Sequence, residues 1–251
     1  MENIGERLVW HYIPFTDVPI PLGGVNVMTI FNTLVVMVVL WSVLWLGIRK
    51  QARIPGRGQY LIEQFIGAFD GLVTSSLEFD DIKDNRKFLP LIAALFLFLL
   101  LSNFMGFFPT HLFEEPTADI NCTMALGLMA MVVATYCGVK SKGMGGYFGE
   151  LLGPMWSQEG ATGMAWIAGK ASALFFFPLN VIGEMAKVVS ISFRLFGNIV
   201  GGSIIIVVVS TLVFNTAIPI GLDLFFIFFV GTVQAFVFTM LTLTYIAVAI
   251  K

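Results

Sequence analysis

The sequence predicts an all-α integral membrane protein: five to six membrane-associated helices, with a C-terminal hairpin of two long tilted helices and a surface amphipathic helix. Three observations carry this. Apolar residues make up 57% of the chain and charged residues only 12%, with a mean hydropathy of +0.89; an ordinary soluble domain carries roughly 25% charge. Several apolar runs reach the length needed to cross a hydrocarbon core about 30 Å thick. Lysines and arginines gather at alternate ends of those runs, which orients them by the positive-inside rule.

Residues 1–24 hold Pro14, Pro19, Pro21 and the Gly23-Gly24 pair and read as an irregular lead-in outside the membrane, with His11 on its surface. The start has acids and prolines where a cleaved targeting segment needs a basic start and an apolar core, so none is expected. The first span is 25–48. Arg49, Lys50, Arg53 and Arg57 follow it and place that end in the cytoplasm. Residues 58–87 form an amphipathic cytoplasmic helix and a link. Leu61, Ile62, Phe65, Ile66, Phe69, Leu72 and Val73 recur at helical spacing between Gln59, Glu63, Gln64 and Asp70. That face fits a membrane surface or a neighbouring span equally well. Glu78 to Lys87 is a solvated link.

Residues 88–139 form a two-span hairpin. The first span, 88–108, begins beside Arg86 and Lys87. The outer connection holds His111, Glu114, Glu115 and Asp119 with no lysine or arginine, and the second span, 118–139, returns to Lys140 and Lys142. Asp119, Asn121 and Thr123 near the outer surface fit a helix cap by Thr117 or Asp119, or the polar mouth of an ion path. The Gly-rich stretch 140–170 reads as a cytoplasmic loop with a short interfacial helix. Residues 171–251 complete the chain as the long hairpin. Its first arm, 171–214, would be about 66 Å long if wholly helical. Pro178 marks a break in it, and what remains is still long enough to tilt. A second break falls at 215–219, and the last arm, 220–250, ends on Lys251 inside. Internal repeats and low-complexity segments are absent.

Composition also excludes. A net charge of −2 and a pI near 5.7 argue against a nucleic-acid partner. Cys122 and Cys137 sit 15 residues apart on one helix, about 22 Å and too far for a disulfide. They read as apolar filler, and no metal-binding spacing is present. No nucleophile–base pair or phosphate loop is visible, so the chain reads as non-catalytic, with no cofactor.

The chemistry centres on SISFRLFGNIVGG, residues 190–202. Arg194 is the one charge between Lys187 and Asp223. A guanidinium does not deprotonate at accessible pH, and holding it at bilayer depth costs a few kcal/mol on insertion scales. Such an arginine is expected to face the protein interior and pair with an anion. Snorkelling to an interface is opposed by the apolar residues that follow. Lys187, Ser190, Arg194, Asn198 and Gly201 or Gly202 recur on one helical face. Gly197 and Gly201 form a small-residue surface that admits a neighbouring helix. On the opposite arm Gln234 is the only strongly polar residue between Asp223 and Lys251, beside hydroxyls at Thr232, Thr239, Thr242 and Thr244. It reads as interhelical glue or as the partner of Arg194. A fixed positive charge on such a helix would lower the pKa of a carboxylate arriving on a neighbouring subunit, force release of its ion, and block straight passage of cations.

Arg194–Asn198 (RLFGN), preceded by KVVSISF, resembles the signature of subunit a of F-type ATP synthases. So do PGRGQYLIEQFIGAFDG (55–71), LSNFMGFFP (101–109), PTADINCT (116–123), KGMGGYFGEL (142–151) and QAFVFTMLTLTYIA (234–247), in the same order and over nearly the whole chain. The resemblance implies a stator in the bacterial inner membrane, with the N-terminus periplasmic and the C-terminus cytoplasmic. Its partners would be the c-ring, the peripheral-stalk b subunits and membrane lipid. H+ or Na+ would cross through two offset half-channels, coupled to ATP synthesis. Arg194 matches the essential arginine that faces the ring carboxylate. Asn198 and Gln234 match polar residues lining that interface, Glu184 and Lys187 match polar positions before the arginine, and Asp119 and Asn121 match the outer entry. Two positions depart: Ser203 and Ile227 stand where many relatives carry titratable groups of the outer half-channel. This leaves Glu184 as the remaining membrane carboxylate for a relay and keeps Na+ open. The more remote alternatives are a secondary transporter, for which inverted repeats would be needed, and a structural anchor.

Overall fold

The computed structural model describes residues 9–10, 25–48, 56–77, 86–108, 114–152, 164–213 and 217–251. Among them, five helices are long and apolar enough to cross a membrane. The chain divides into two compact units, Met1–Thr123 with Phe193–Met240, and Met124–Ser192 with Leu241–Lys251.

In the first unit a two-residue antiparallel pair, β1 (Val9–Trp10) and β2 (Val25–Asn26), precedes α1 (Val27–Ile48). The Asn26 Oδ1 accepts the Met28 N–H at 3.0 Å and closes the first turn of α1. Helix α1 presents Leu34, Val38 and Trp41 outward, as lipid contact requires. Helix α2 (Arg57–Leu77) buries Phe69, Val73 and Leu77. Phe69 lies 5.0 Å from the ring of Phe96 on α3 (Leu89–Phe104), so the amphipathic face packs on a span. Tyr60, Leu61 and Ile66 remain exposed on it, as an interfacial helix would have them. Arg86 holds Asp70 through two hydrogen bonds of 3.1 and 2.9 Å and ties α2 to the start of α3; the exposed guanidinium pKa is raised by that bond and by the Asp70 charge. Pro90 enters α3 in its first turn, where its missing N–H costs nothing. A 3-10 turn, Met105–Phe107, ends that span, and a second, Pro116–Ala118, leads into α4 (Ile120–Leu151). Cys122 and Cys137 on α4 are free thiols.

The helices α4, α5 (Met164–Leu212) and α7 (Gly231–Ile250) contribute to both units. Between the last two lie α6 (Ala217–Leu224) and a π-helical turn, Phe225–Val230. In the second unit Ala130, Val188, Ile191, Leu243 and Ile246 are buried. Gly127 packs against Ser192 and Val188 so tightly that a Cβ would overlap them. The α4 run bends at Gly143, whose φ of 77° suits glycine. Tyr147 therefore returns over its own helix, and its hydroxyl donates to Thr135 Oγ1 at 3.4 Å, twelve residues earlier. A straight helix would separate them by about 18 Å.

Two expectations change. The loop with a short interfacial helix expected over 140–170 is more helical than that, with helix to Leu151 and again from Met164, while 153–163 lies outside the described residues. Of its described glycines only Gly143 takes a positive φ; the others lie in helix. The break expected at Pro178 is absent, since α5 runs through it. Proline removes one hydrogen bond from an otherwise complete ladder, which membrane helices tolerate.

Candidate functional site

Helix α5 buries Leu195 fully and turns Arg194, Gly197 and Asn198 outward in the first unit. Phe193, Ile204 and Ile205 are exposed on the same stretch. Arg194 has no hydrogen bond or ion pair among the described residues. It is exposed on the surface of this chain. Its expected partner is also taken: the Asn198 Nδ2 donates to Gln234 Oε1 at 2.6 Å. Two neutral amides satisfy each other across α5 and α7 without desolvating a guanidinium, which makes this the cheaper pairing. Gln234 is buried, and its Nε2 has no partner among the described residues.

Around this pair the first unit builds a polar cluster. Asn103 on α3 is buried; its Nδ2 donates to the Gly231 carbonyl at 2.9 Å and its Oδ1 accepts from Thr117 Oγ1 at 2.9 Å. Gly231 permits that approach, since a Cβ there would come within 3.1 Å of the Asn103 Cβ. Gly202 likewise lies against the Phe226 ring of the π turn. A cavity of about 40 Å³ results, room for a few waters, with Asn103, Glu115, Asn198, Ser203, Asp223 and Gln234 among its lining residues. The Glu115 carboxylate lies over Gly106, where any Cβ would overlap it. Burial, and then the Asp223 charge, push the Glu115 pKa up to about 7. Ser203 lines this cavity while its Oγ donates to the Ile199 carbonyl at 3.0 Å, and Ile227 is buried in the π turn.

Asp119 does the work of a cap. Its Oδ1 accepts the Asn121 N–H at 2.9 Å and its Oδ2 accepts from Thr29 Oγ1 at 3.0 Å. Glu184 and Lys187 belong to the second unit. They form an ion pair one turn apart on α5, and the Lys187 Nζ lies 5.8 Å from the Tyr245 ring centroid. A cavity of about 320 Å³ opens beside them, lined also by Tyr147, Asn180 and Tyr245. The Asn180 Nδ2 donates to the Leu151 carbonyl at 2.9 Å.

The structure thus gathers Asn198, Ser203 and Gln234 at one cavity and Glu184 and Lys187 at another. It adds Asn103, Glu115 and Asp223, which the sequence reading passed over. One signal was available: Asp223 precedes Gln234 by 11 residues, close to three helical turns, which returns to the same face. Among the described residues, no group of three His, Cys, Asp or Glu is placed to hold a metal.

Residues 29–247 match the family model described as ATP synthase A chain. ATP synthase subunit a of Moorella thermoacetica is 34% identical over 229 residues, covering 91% of each chain. That of Aliarcobacter butzleri is 34% identical over 199 residues, 79% of this chain and 78% of the relative. That of Gloeobacter violaceus is 31% identical over 256 aligned residues, 99% of this chain and 91% of the relative. A match of this extent, on a chain with an outward arginine in an apolar helix, leaves one assignment: the chain belongs to the ATP synthase A chain family.

Proposed function

We propose that this chain is the non-catalytic, ion-translocating stator of a rotary F-type ATP synthase, working against the c-ring and held by the peripheral-stalk b subunits in a bacterial inner membrane. One observation carries the reading: Arg194 stands exposed on an apolar helix face with no ion pair among the described residues. A membrane-depth guanidinium needs an anion, and here that anion comes from outside the chain. A ring carboxylate arriving protonated beside Arg194 loses its proton to the field of the guanidinium. At 4 Å and an effective dielectric of 20 the interaction is about 4 kcal/mol, roughly three pKa units. The released proton leaves by the half-channel that opens to one side. The ionised carboxylate then passes Arg194 and is reprotonated from the other half-channel. The same charge repels any cation that would cross without the ring. The cavity at Asn198 and Gln234 serves the outer path, and the cavity at Glu184 and Lys187 serves the inner one. The N-terminus is periplasmic and the C-terminus cytoplasmic.

The test is ATP-driven ion uptake by vesicles carrying the assembled complex, with and without Na+ and with a protonophore. Acidification that needs no Na+ and collapses with protonophore is the expected result. Uptake of Na+ that survives the protonophore would reassign the ion to sodium. An intact complex that moves neither ion would overturn the assignment.

A further inference from the structure

We propose that Glu115 and Asp223 form a paired-carboxylate proton site in the lining of the Asn198–Gln234 cavity, standing in for the titratable groups absent at Ser203 and Ile227. This rests on the stator reading above. The two carboxylates come from positions 108 residues apart, the segment before the Pro116–Ala118 turn and helix α6, yet line one cavity. Among the described residues no lysine, arginine or histidine lines it with them, so the pair has no counter-charge among these and a proton is the ligand that relieves it. The second observation is independent of the acids. Gln234 lines the same cavity, is only 4% exposed, and has an Nε2 with no hydrogen-bond partner among the described residues. A buried amide N–H left open at a water-sized cavity calls for an acceptor there, a water or a carboxylate oxygen. The Glu115 carboxylate also fills the space that a side chain on residue 106 would take.

The transfer balances without a further reactant. A hydronium ion outside gives a proton to one carboxylate of the pair, forming an O–H bond there and leaving water. That O–H bond breaks as the proton passes through the cavity waters beside Asn198 and Gln234. A new O–H bond then forms on the ring carboxylate that Arg194 had kept ionised.

The experiment is ATP-driven acidification and its pH profile, in vesicles carrying assembled complexes with Glu115→Gln, Asp223→Asn, both changes together, or Arg194→Ala. Each carboxamide variant is expected to pump on the order of 100-fold more slowly. The double variant should be no worse than the slower single one, since the pair acts as a unit, and the limb of the profile near pH 7 should be lost. Gly106→Ala, which moves the carboxylate without removing it, is expected to fall between wild type and Glu115→Gln. If Glu115→Gln does not assemble, Asp223→Asn carries the same expectation. Wild-type pumping and pH profile in the double variant, beside a dead Arg194→Ala, would overturn this proposal alone. Pumping by Arg194→Ala would overturn the stator reading beneath it.

Discussion

In the first unit two carboxylates, Glu115 and Asp223, line a small cavity that has no basic side chain in its lining among the described residues. In the second, Glu184 also faces a cavity, but Lys187 pairs with it from the next turn of the same helix, beside the Tyr245 ring. An acid that carries its own cation suits a polar lining that conducts through water. Two acids without a cation need a proton between them, and suit a station that stores one. Under the functions proposed above the two cavities have separate tasks, and the difference between them can be broken in either direction.

The largest effect is expected from giving the first cavity the cation it lacks. Ser203→Lys places an ammonium at its lining, which would hold both acids ionised. ATP-driven acidification of vesicles should then fall on the order of 100-fold; an unaltered rate would mean that the pair does not handle the proton. Glu184→Gln should cost less, about tenfold, and leave the pH profile in place, because the proton station is elsewhere. Normal flux in that variant would remove Glu184 from the path.

Smaller effects are expected in stability. The raised pKa of Glu115 means that the folded chain retains a proton that the unfolded chain releases above its ordinary value of 4.5. Stability contributed at this position is therefore lost as the pH rises from 4.5 to about 7, by at most about 3 kcal/mol. Glu115→Gln does not titrate, so its melting temperature in detergent should match wild type near pH 4.5 and exceed it at pH 8. A wild-type advantage at pH 8 would mean that the carboxylate is stabilised in the fold. Gln234→Leu removes the partner of Asn198 at a cost of about 1–3 kcal/mol, and should slow pumping less than loss of the arginine. Failure of the complex to assemble in that variant would make Gln234 chiefly a helix-to-helix tie.

The spans were legible in the sequence because the hydrocarbon thickness sets a minimum apolar length that loops do not mimic. Breaks within them were not. Pro178 and the glycines at 143–149 are the residues that end soluble helices, but here helix continues through all of them, with a bend only at Gly143 and the loss of one hydrogen bond at Pro178. Arg194 was legible as the single charge in a long apolar run. Which face of α5 its own chain covers was not, because that depends on where Leu195 packs. The pairing of Gln234 with Asn198 in place of Arg194 is decided by the register between two helices. Glu115 stood in a loop as one acid of several, and only the fold brings it to a cavity with Asp223.

The central claim is that Arg194 finds its anion outside this chain and drives ion exchange there. The most direct measurement is ATP-driven proton uptake by vesicles whose assembled complex carries Arg194→Ala, with ATP hydrolysis followed in the same sample. The account predicts a complex that assembles and builds no gradient from the ATP it hydrolyses. A gradient formed at the wild-type rate per ATP would contradict it.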